Sequence, residues 1–204
     1  MHNWNMKTRL TKTIAWTALL FTVGTCPGLF SLHAGQFGFQ AGLMYNTGSQ
    51  AVMDKLDQNF QLTDKFVWPA GLTLSPYYEW SSGWAVGLTV GPAAVVVIDE
   101  GSEDSASYIV PVGADVRYTF LRDRNIAPYV RAGIRVPIVG GDYLRSGEVG
   151  AFGAVGVEFW RAKKVKAAVE IGYDSSSVEV VAGPMGDAKR VTYPGFMAGL
   201  TVRF

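Results

Sequence analysis

The closing stretch, Val191 to Phe204, constrains the fold more than any other. Every second residue from Phe196 is apolar: Phe196, Ala198, Leu200, Val202 and Phe204. The interleaved set, Gly195, Met197, Gly199, Thr201 and Arg203, is small or polar apart from Met197. Strict period-two alternation marks a strand whose two faces meet different environments.

The alternation recurs along the chain. Phe37, Phe39, Ala41, Leu43 and Tyr45 form one apolar set, and Trp68, Ala70, Leu72, Leu74, Pro76, Tyr78 and Trp80 the next. Trp84, Val86, Leu88, Val90, Pro92, Ala94, Val96 and Ile98 follow, then Tyr108, Val110, Val112, Ala114, Val116, Tyr118 and Phe120. The second half continues with Ile126 to Ile138, Ala151 to Phe159 and Val165 to Tyr173. With the closing stretch this makes about eight strands. Ser81 to Gly83, Arg122 to Asn125 and Arg161 to Lys164 are short connections. Asn46 to Val67, Asp99 to Ala106, Val139 to Val149 and Asp174 to Arg190 are longer. Short turns at one end, long loops at the other and an even strand number give an all-β fold: an eight-stranded antiparallel up-and-down transmembrane β-barrel. Within the first long loop, Val52, Met53, Leu56 and Phe60 fit a short helix or an extended strand.

The charges decide which face points out. Glu79, Asp115, Arg117, Arg131, Arg135, Glu158, Lys166, Glu170 and Arg203 all lie on the mixed face, with most strand glycines. An eight-stranded barrel has an interior just wide enough for side chains, so small residues around a few long charged ones suit an inside. This accounts for much of the glycine, 24 residues in all. The other face is unbroken Val, Leu, Ile and Ala with aromatic ends. Tyr78, Trp80, Trp84, Tyr118, Phe120, Phe159 and Phe204 form a belt near the short turns, and Tyr45, Trp68, Tyr108 and Tyr173 one near the long loops. A charge at the middle of a lipid face costs roughly 2–4 kcal/mol, and that face carries none.

Lys7, Arg9 and Lys12 precede the apolar run Ile14 to Val23, which is shorter than the ~20 residues a helical span needs. This predicts a cleaved signal peptide over residues 1–34, ending at Ala34, and a barrel over 35–204. Val23-Gly24-Thr25-Cys26, read as a loose lipobox, is the alternative. Cys26, His2 and His33 all precede Gly35. A mature chain without Cys or His has no disulfide, no thiolate nucleophile and no Ser-His pair, so no enzyme, metal or cofactor is expected. The net charge of +1 gives no reason to expect a nucleic-acid partner.

The residues from Gln36 to Phe204 resemble the small eight-stranded outer-membrane barrels: the OmpA transmembrane domain, OmpX and the OmpW family. The resemblance implies a bacterial outer membrane, with termini periplasmic and long loops extracellular, and outer-membrane lipid as the surroundings. It implies that periplasmic chaperones deliver the chain and that the barrel-assembly machinery reads Phe196, Ala198, Leu200, Val202 and Phe204 as an assembly signal. No periplasmic domain is expected after Phe204.

Two features carry candidate chemistry. The inward charges are either an ion-selective interior or a salt-bridged plug, since buried charges persist when paired. Pro69, Pro92, Pro111 and Pro137 lie on consecutive strands near the long loops, and proline donates no ladder hydrogen bond. Either pairing ends there at the rim, or the wall is interrupted. The second reading resembles the OmpW family, in which a wall break passes small hydrophobic molecules sideways. The acidic tip Asp99 to Asp104 lacks EF-hand spacing. Gly150 to Gly156 lacks the Lys-Ser/Thr of a phosphate loop and reads as a strand. The expected function is a passive conduit for small hydrophobic solutes. The alternative is a non-conducting structural or adhesion barrel of the OmpX type, whose loops meet host surface molecules.

Overall fold

The computed structural model describes residues 35–62, 64–100 and 103–204. The signal peptide expected over residues 1–34, and its lipobox alternative at Cys26, fall outside these residues. The described elements are β1 (Gly35–Asn46), α1 (Gly48–Phe60), β2 (Asp64–Val67), β3 (Ala70–Trp80), β4 (Trp84–Val90), β5 (Ala94–Glu100) and β6 (Glu103–Thr119). After them come β7 (Ile126–Gly140), β8 (Leu144–Glu148), β9 (Gly150–Phe159), β10 (Lys166–Asp174), β11 (Ser177–Val180), β12 (Lys189–Thr192) and β13 (Gly195–Arg203).

The sheet closes on itself. β1 pairs with β3 on one side and β13 on the other, so Leu43 lies opposite both Leu72 and Leu200. β13 continues to β10, β10 to β9, β9 to β7 and β7 to β6. β4 and β5 both pair with β6 and together make one stave, and β4 returns to β3. The result is a closed eight-stave antiparallel barrel.

Side chains sort as the alternation requires. Phe37, Leu72 and Leu200 are exposed by 87%, 67% and 66%, whereas Glu158 and Arg203 are exposed by 0% and 1%. The oily side chains therefore wrap the outside, and an apolar surface continuous around a whole barrel belongs against hydrocarbon. Aromatic rings gather at its two ends. Phe37 meets Tyr78 and Trp84 meets Tyr118 near the short turns; Tyr173 meets Phe196 near the long loops. Gly156 shows what the inner glycines do. The Tyr129 ring lies over its Cα, where any Cβ would collide with the ring and come within 2.6 Å of the Val169 carbonyl oxygen.

One stave departs from the sequence reading. Pro92, Ala94 and Val96, expected on the outer face, are buried, and Val95 is outside instead. The register gives the reason. Val90 faces Val112 and Ala94 faces Ile109, so the three residues Gly91 to Ala93 oppose only Val110 and Pro111. One extra residue is a bulge, and a one-residue slip inverts every side chain beyond it.

The long connections fold into a cap. β8, β11 and β12 form a small antiparallel sheet. The loop residues with helical spacing form α1, which buries Val52, Met53 and Leu56 against Ala94, Val96, Ile109, Leu144, Val178, Val180 and Tyr193. The Asn46 Oδ1 accepts from the Ser49 backbone N–H at 2.9 Å, satisfying one of the free donors at the start of α1. At the other end, the Asn59 Nδ2 donates to the Val181 carbonyl at 2.7 Å. In the acidic tip, Asp99 pairs with Asp104 and Glu100 with Glu103 across a β5–β6 hairpin.

Candidate functional site

The inward charges form two linked groups. Nearer the short turns, Glu158 of β9 accepts from Arg117 of β6 at 2.6 Å and from Arg203 of β13 at 2.6 Å. Arg161, in the β9–β10 turn, folds back to give Glu158 a third bond at 2.5 Å and also pairs with Glu79. Arg203 reaches Glu79 at 3.3 Å and lies 3.9 Å from the centre of the Tyr77 ring. Four staves and one turn thus meet around two carboxylates.

Higher in the lumen, Arg131 of β7 makes a two-pronged contact with Asp115 of β6, at 2.8 and 2.6 Å, and reaches Glu170 of β10 at 3.3 Å. The Thr89 hydroxyl donates to Asp115 at 2.7 Å, and the Tyr129 hydroxyl to Glu170 at 2.9 Å. The Arg117 guanidinium lies 3.7 Å from the Tyr129 ring centre and joins the two groups by a cation–π contact. Above them, Arg135 pairs with Asp174 at 3.5 Å and lies 3.7 Å from the ring centre of Phe152.

All the inward charges expected from the sequence except Lys166 are thus in direct ion pairs. Lys166 is buried opposite Arg203 and makes no direct ion pair among the described residues. Gln40, Ser75, Tyr77, Asp115, Arg117 and Arg131 line a void of about 10 Å³. That is room for about one water, so side chains fill the lumen at this level.

The four prolines sit near the cap. Pro111 and Pro137 face each other across β6 and β7, both buried. Pro111 lies across from the bulge, where its carbonyl accepts from the Gly91 N–H at 2.7 Å. Pro137 lies beyond Arg135 and Gly150, the last β7–β9 pair on that side. Pro92 is in the bulge itself, and its carbonyl accepts from the Tyr193 hydroxyl at 3.0 Å. Pro69 separates β2 from β3, and its carbonyl accepts from the Asn46 N–H at 2.8 Å.

The ladder between β3 and β4 runs as far as Leu74 opposite Val90, and resumes between β2 and β5 at Val67 opposite Val96. Between them a bond of 3.5 Å links the Ala93 N–H to the Leu72 carbonyl. The two backbones still lie close across this interruption: a Cβ on Gly71 would lie 2.8 Å from the Ala93 backbone nitrogen. On β13, Phe196, Ala198, Leu200, Val202 and Phe204 all point outward, and the Phe204 N–H donates to the Phe39 carbonyl at 2.9 Å.

No protein-family model and no curated protein matches the chain. Among solved structures, the outer membrane protein OprG from Pseudomonas aeruginosa is similar over 84% of this chain and 96% of its own, at 13% identity and a TM-score of 0.50. The chain has the fold of the small eight-stranded outer-membrane barrels. Outer membrane protein W of E. coli is similar over 85% of this chain and 99% of its own, at 17% identity and a TM-score of 0.48. Ail of Yersinia pestis is similar over 83% of this chain and 99% of its own, at 15% identity and a TM-score of 0.46.

Within this outer-membrane barrel fold, each described lumen carboxylate is engaged by a guanidinium. The arrangement ties staves together across the lumen. Two of its members escape the sequence reading. Asp174 continues the phase of Lys166, Ala168 and Glu170, and extending the strand by one residue identifies it. Arg161 lies in a turn, where alternation says nothing about direction.

Proposed function

We propose that this barrel sits in the bacterial outer membrane, with its long loops outside and termini in the periplasm, and passes small apolar molecules sideways through its wall. One observation carries the reading. The apolar cap interior, lined by Ala94, Val96 and Ile109, ends at the bulge where the β3–β4 ladder is interrupted, and an ion-paired plug lies beneath it. An apolar solute entering from the cap meets charge below and a weakly bonded wall beside it. Burying an oily solute among ion pairs is unfavourable, so the lateral path is the easier one. In the same reading, β13 presents its outward apolar residues to the barrel-assembly machinery.

The test uses vesicles whose outer leaflet is lipopolysaccharide, and a small uncharged apolar dye. The barrel is expected to speed dye entry while giving no ion conductance in a planar bilayer. Pro92→Ala restores a backbone donor on the strand that borders the interruption and is expected to return entry to the protein-free rate. Undiminished entry through the folded variant would remove the lateral route. A second reading, a closed surface-interaction barrel, is favoured by α1, whose Val52, Met53 and Leu56 fill the mouth. Neither dye entry nor conductance from the wild-type barrel would support that reading.

A further inference from the structure

Two of the short turns are built alike. Phe120-Leu121-Arg122-Asp123-Arg124-Asn125 joins β6 to β7, and Trp160-Arg161-Ala162-Lys163-Lys164-Val165, after Phe159 at the end of β9, joins β9 to β10. In each, the residue after the Phe adopts a left-handed backbone, Leu121 with φ 48° and Trp160 with φ 58°. In each, its carbonyl accepts from the N–H three residues on, at 2.8 Å for both Arg124 and Lys163. Large L-residues avoid this conformation. Here it turns a big apolar side chain out of the barrel end: Leu121 is 65% exposed and Trp160 59%.

The turns also touch. β7 and β9 are neighbours, and Arg161 donates through its Nε to the Arg122 carbonyl at 2.8 Å. With Arg161 drawn into the lumen, Arg122, Arg124, Lys163 and Lys164 remain exposed, against one acid, Asp123. The third short turn, Ser81 to Gly83, carries no charge, so the cations gather on one side of the rim.

We propose that these two turns form a binding site for the headgroup of an anionic phospholipid in the leaflet facing the short-turn end. Arg122, Arg124, Lys163 and Lys164 surround the phosphate, and Leu121 and Trp160 rest on the upper acyl chains. The pairing of bases with exposed apolar side chains selects a lipid over a soluble polyanion, which offers nothing to Leu121 and Trp160. Basic side chains at a membrane surface attract anionic lipid, and an aromatic ring at the headgroup level fixes depth. This inference needs only the membrane barrel, and holds whether or not the wall conducts.

The test reconstitutes the full barrel in vesicles of equal phosphatidylcholine and phosphatidylglycerol, and counts by native mass spectrometry the lipid kept on release into detergent. The wild-type barrel is expected to keep phosphatidylglycerol in preference by roughly fivefold or more. Arg122→Gln, Arg124→Gln, Lys163→Gln and Lys164→Gln together are expected to abolish the preference, with folding checked by heat-modifiable gel mobility. Leu121→Ser with Trp160→Ser keeps the charges and is expected to weaken the preference. Equal retention of both lipids by the wild type overturns the proposal, as does a preference that survives loss of the four bases. Competition by inorganic phosphate with no effect of the Leu121 and Trp160 changes also overturns it, since it marks a soluble-anion site.

Discussion

Replacing Glu158 with Ala is expected to destabilise the barrel by about 3–5 kcal/mol, read from urea unfolding in lipid vesicles. Glu158 is fully buried and accepts from Arg117, Arg161 and Arg203. Its removal does not strand all three equally. Arg161 and Arg203 keep Glu79, whereas Arg117 has no second carboxylate among its ion pairs. The cost is therefore expected to come mainly from an unpaired Arg117 guanidinium held in a low-dielectric lumen. Glu158→Ala with Arg117→Met removes both members, and is expected to recover much of the loss, because taking away a whole buried pair costs far less than breaking it. A double variant no more stable than Glu158→Ala would show that Arg117 is not the stranded charge.

Arg131→Met is the second large effect, also expected at about 3–5 kcal/mol, for the opposite reason. It leaves two acids, Asp115 and Glu170, with hydroxyl partners, Thr89 and Tyr129, in place of a cation. A hydroxyl donates one hydrogen bond and neutralises nothing, so both carboxylates stay costly to bury. Adding Asp115→Asn and Glu170→Gln is expected to restore most of the stability. Unfolding of Arg131→Met at the wild-type urea midpoint would mean that the upper group is hydrated and does not fill the lumen. The two hubs communicate through Tyr129, so their effects are expected to combine non-additively.

The eight staves were legible because the membrane reads each strand the same way. One face must tolerate hydrocarbon and the other must not, so Leu43, Leu72 and Leu200 announce themselves without knowledge of their partners. The inward charges follow from the same rule. What alternation cannot carry is the consequence of one inserted residue. Pro92, Ala94 and Val96 look like a continuation of Val86, Leu88 and Val90, and only the pairing with β6 shows the bulge that turns them into the cap. The cap hides for a related reason. Its apolar residues, such as Leu144, Val178 and Val180, come from separate loops and become a core when brought together in space. A four- or five-residue strand in a polar loop leaves too short a pattern to recognise. Helical spacing in 52–60 is visible in the sequence, but the ends of the helix depend on the Asn46 side chain accepting from the Ser49 N–H and on the left-handed C-cap at Gln61. Arg161 illustrates the limit of local reading: a turn residue's direction depends on Glu79, far away in the chain.

Spin labels compared at one height of the wall measure the arrangement itself. Leu43, Leu72 and Leu200 are mutual neighbours around the barrel, and Thr73 and Thr201 both flank Gly42 one residue away. With Cys26 replaced by Ser, each position is labelled singly through an introduced cysteine. Labels at Leu43, Leu72 and Leu200 are expected to relax with lipid-dissolved oxygen and to ignore a water-soluble nickel complex. Labels at Thr73 and Thr201 are expected to be shielded from lipid-dissolved oxygen. Oxygen reaching Thr73 and Thr201 while Leu43, Leu72 and Leu200 stay shielded would reverse the faces and contradict a barrel with hydrocarbon outside and ion pairs within.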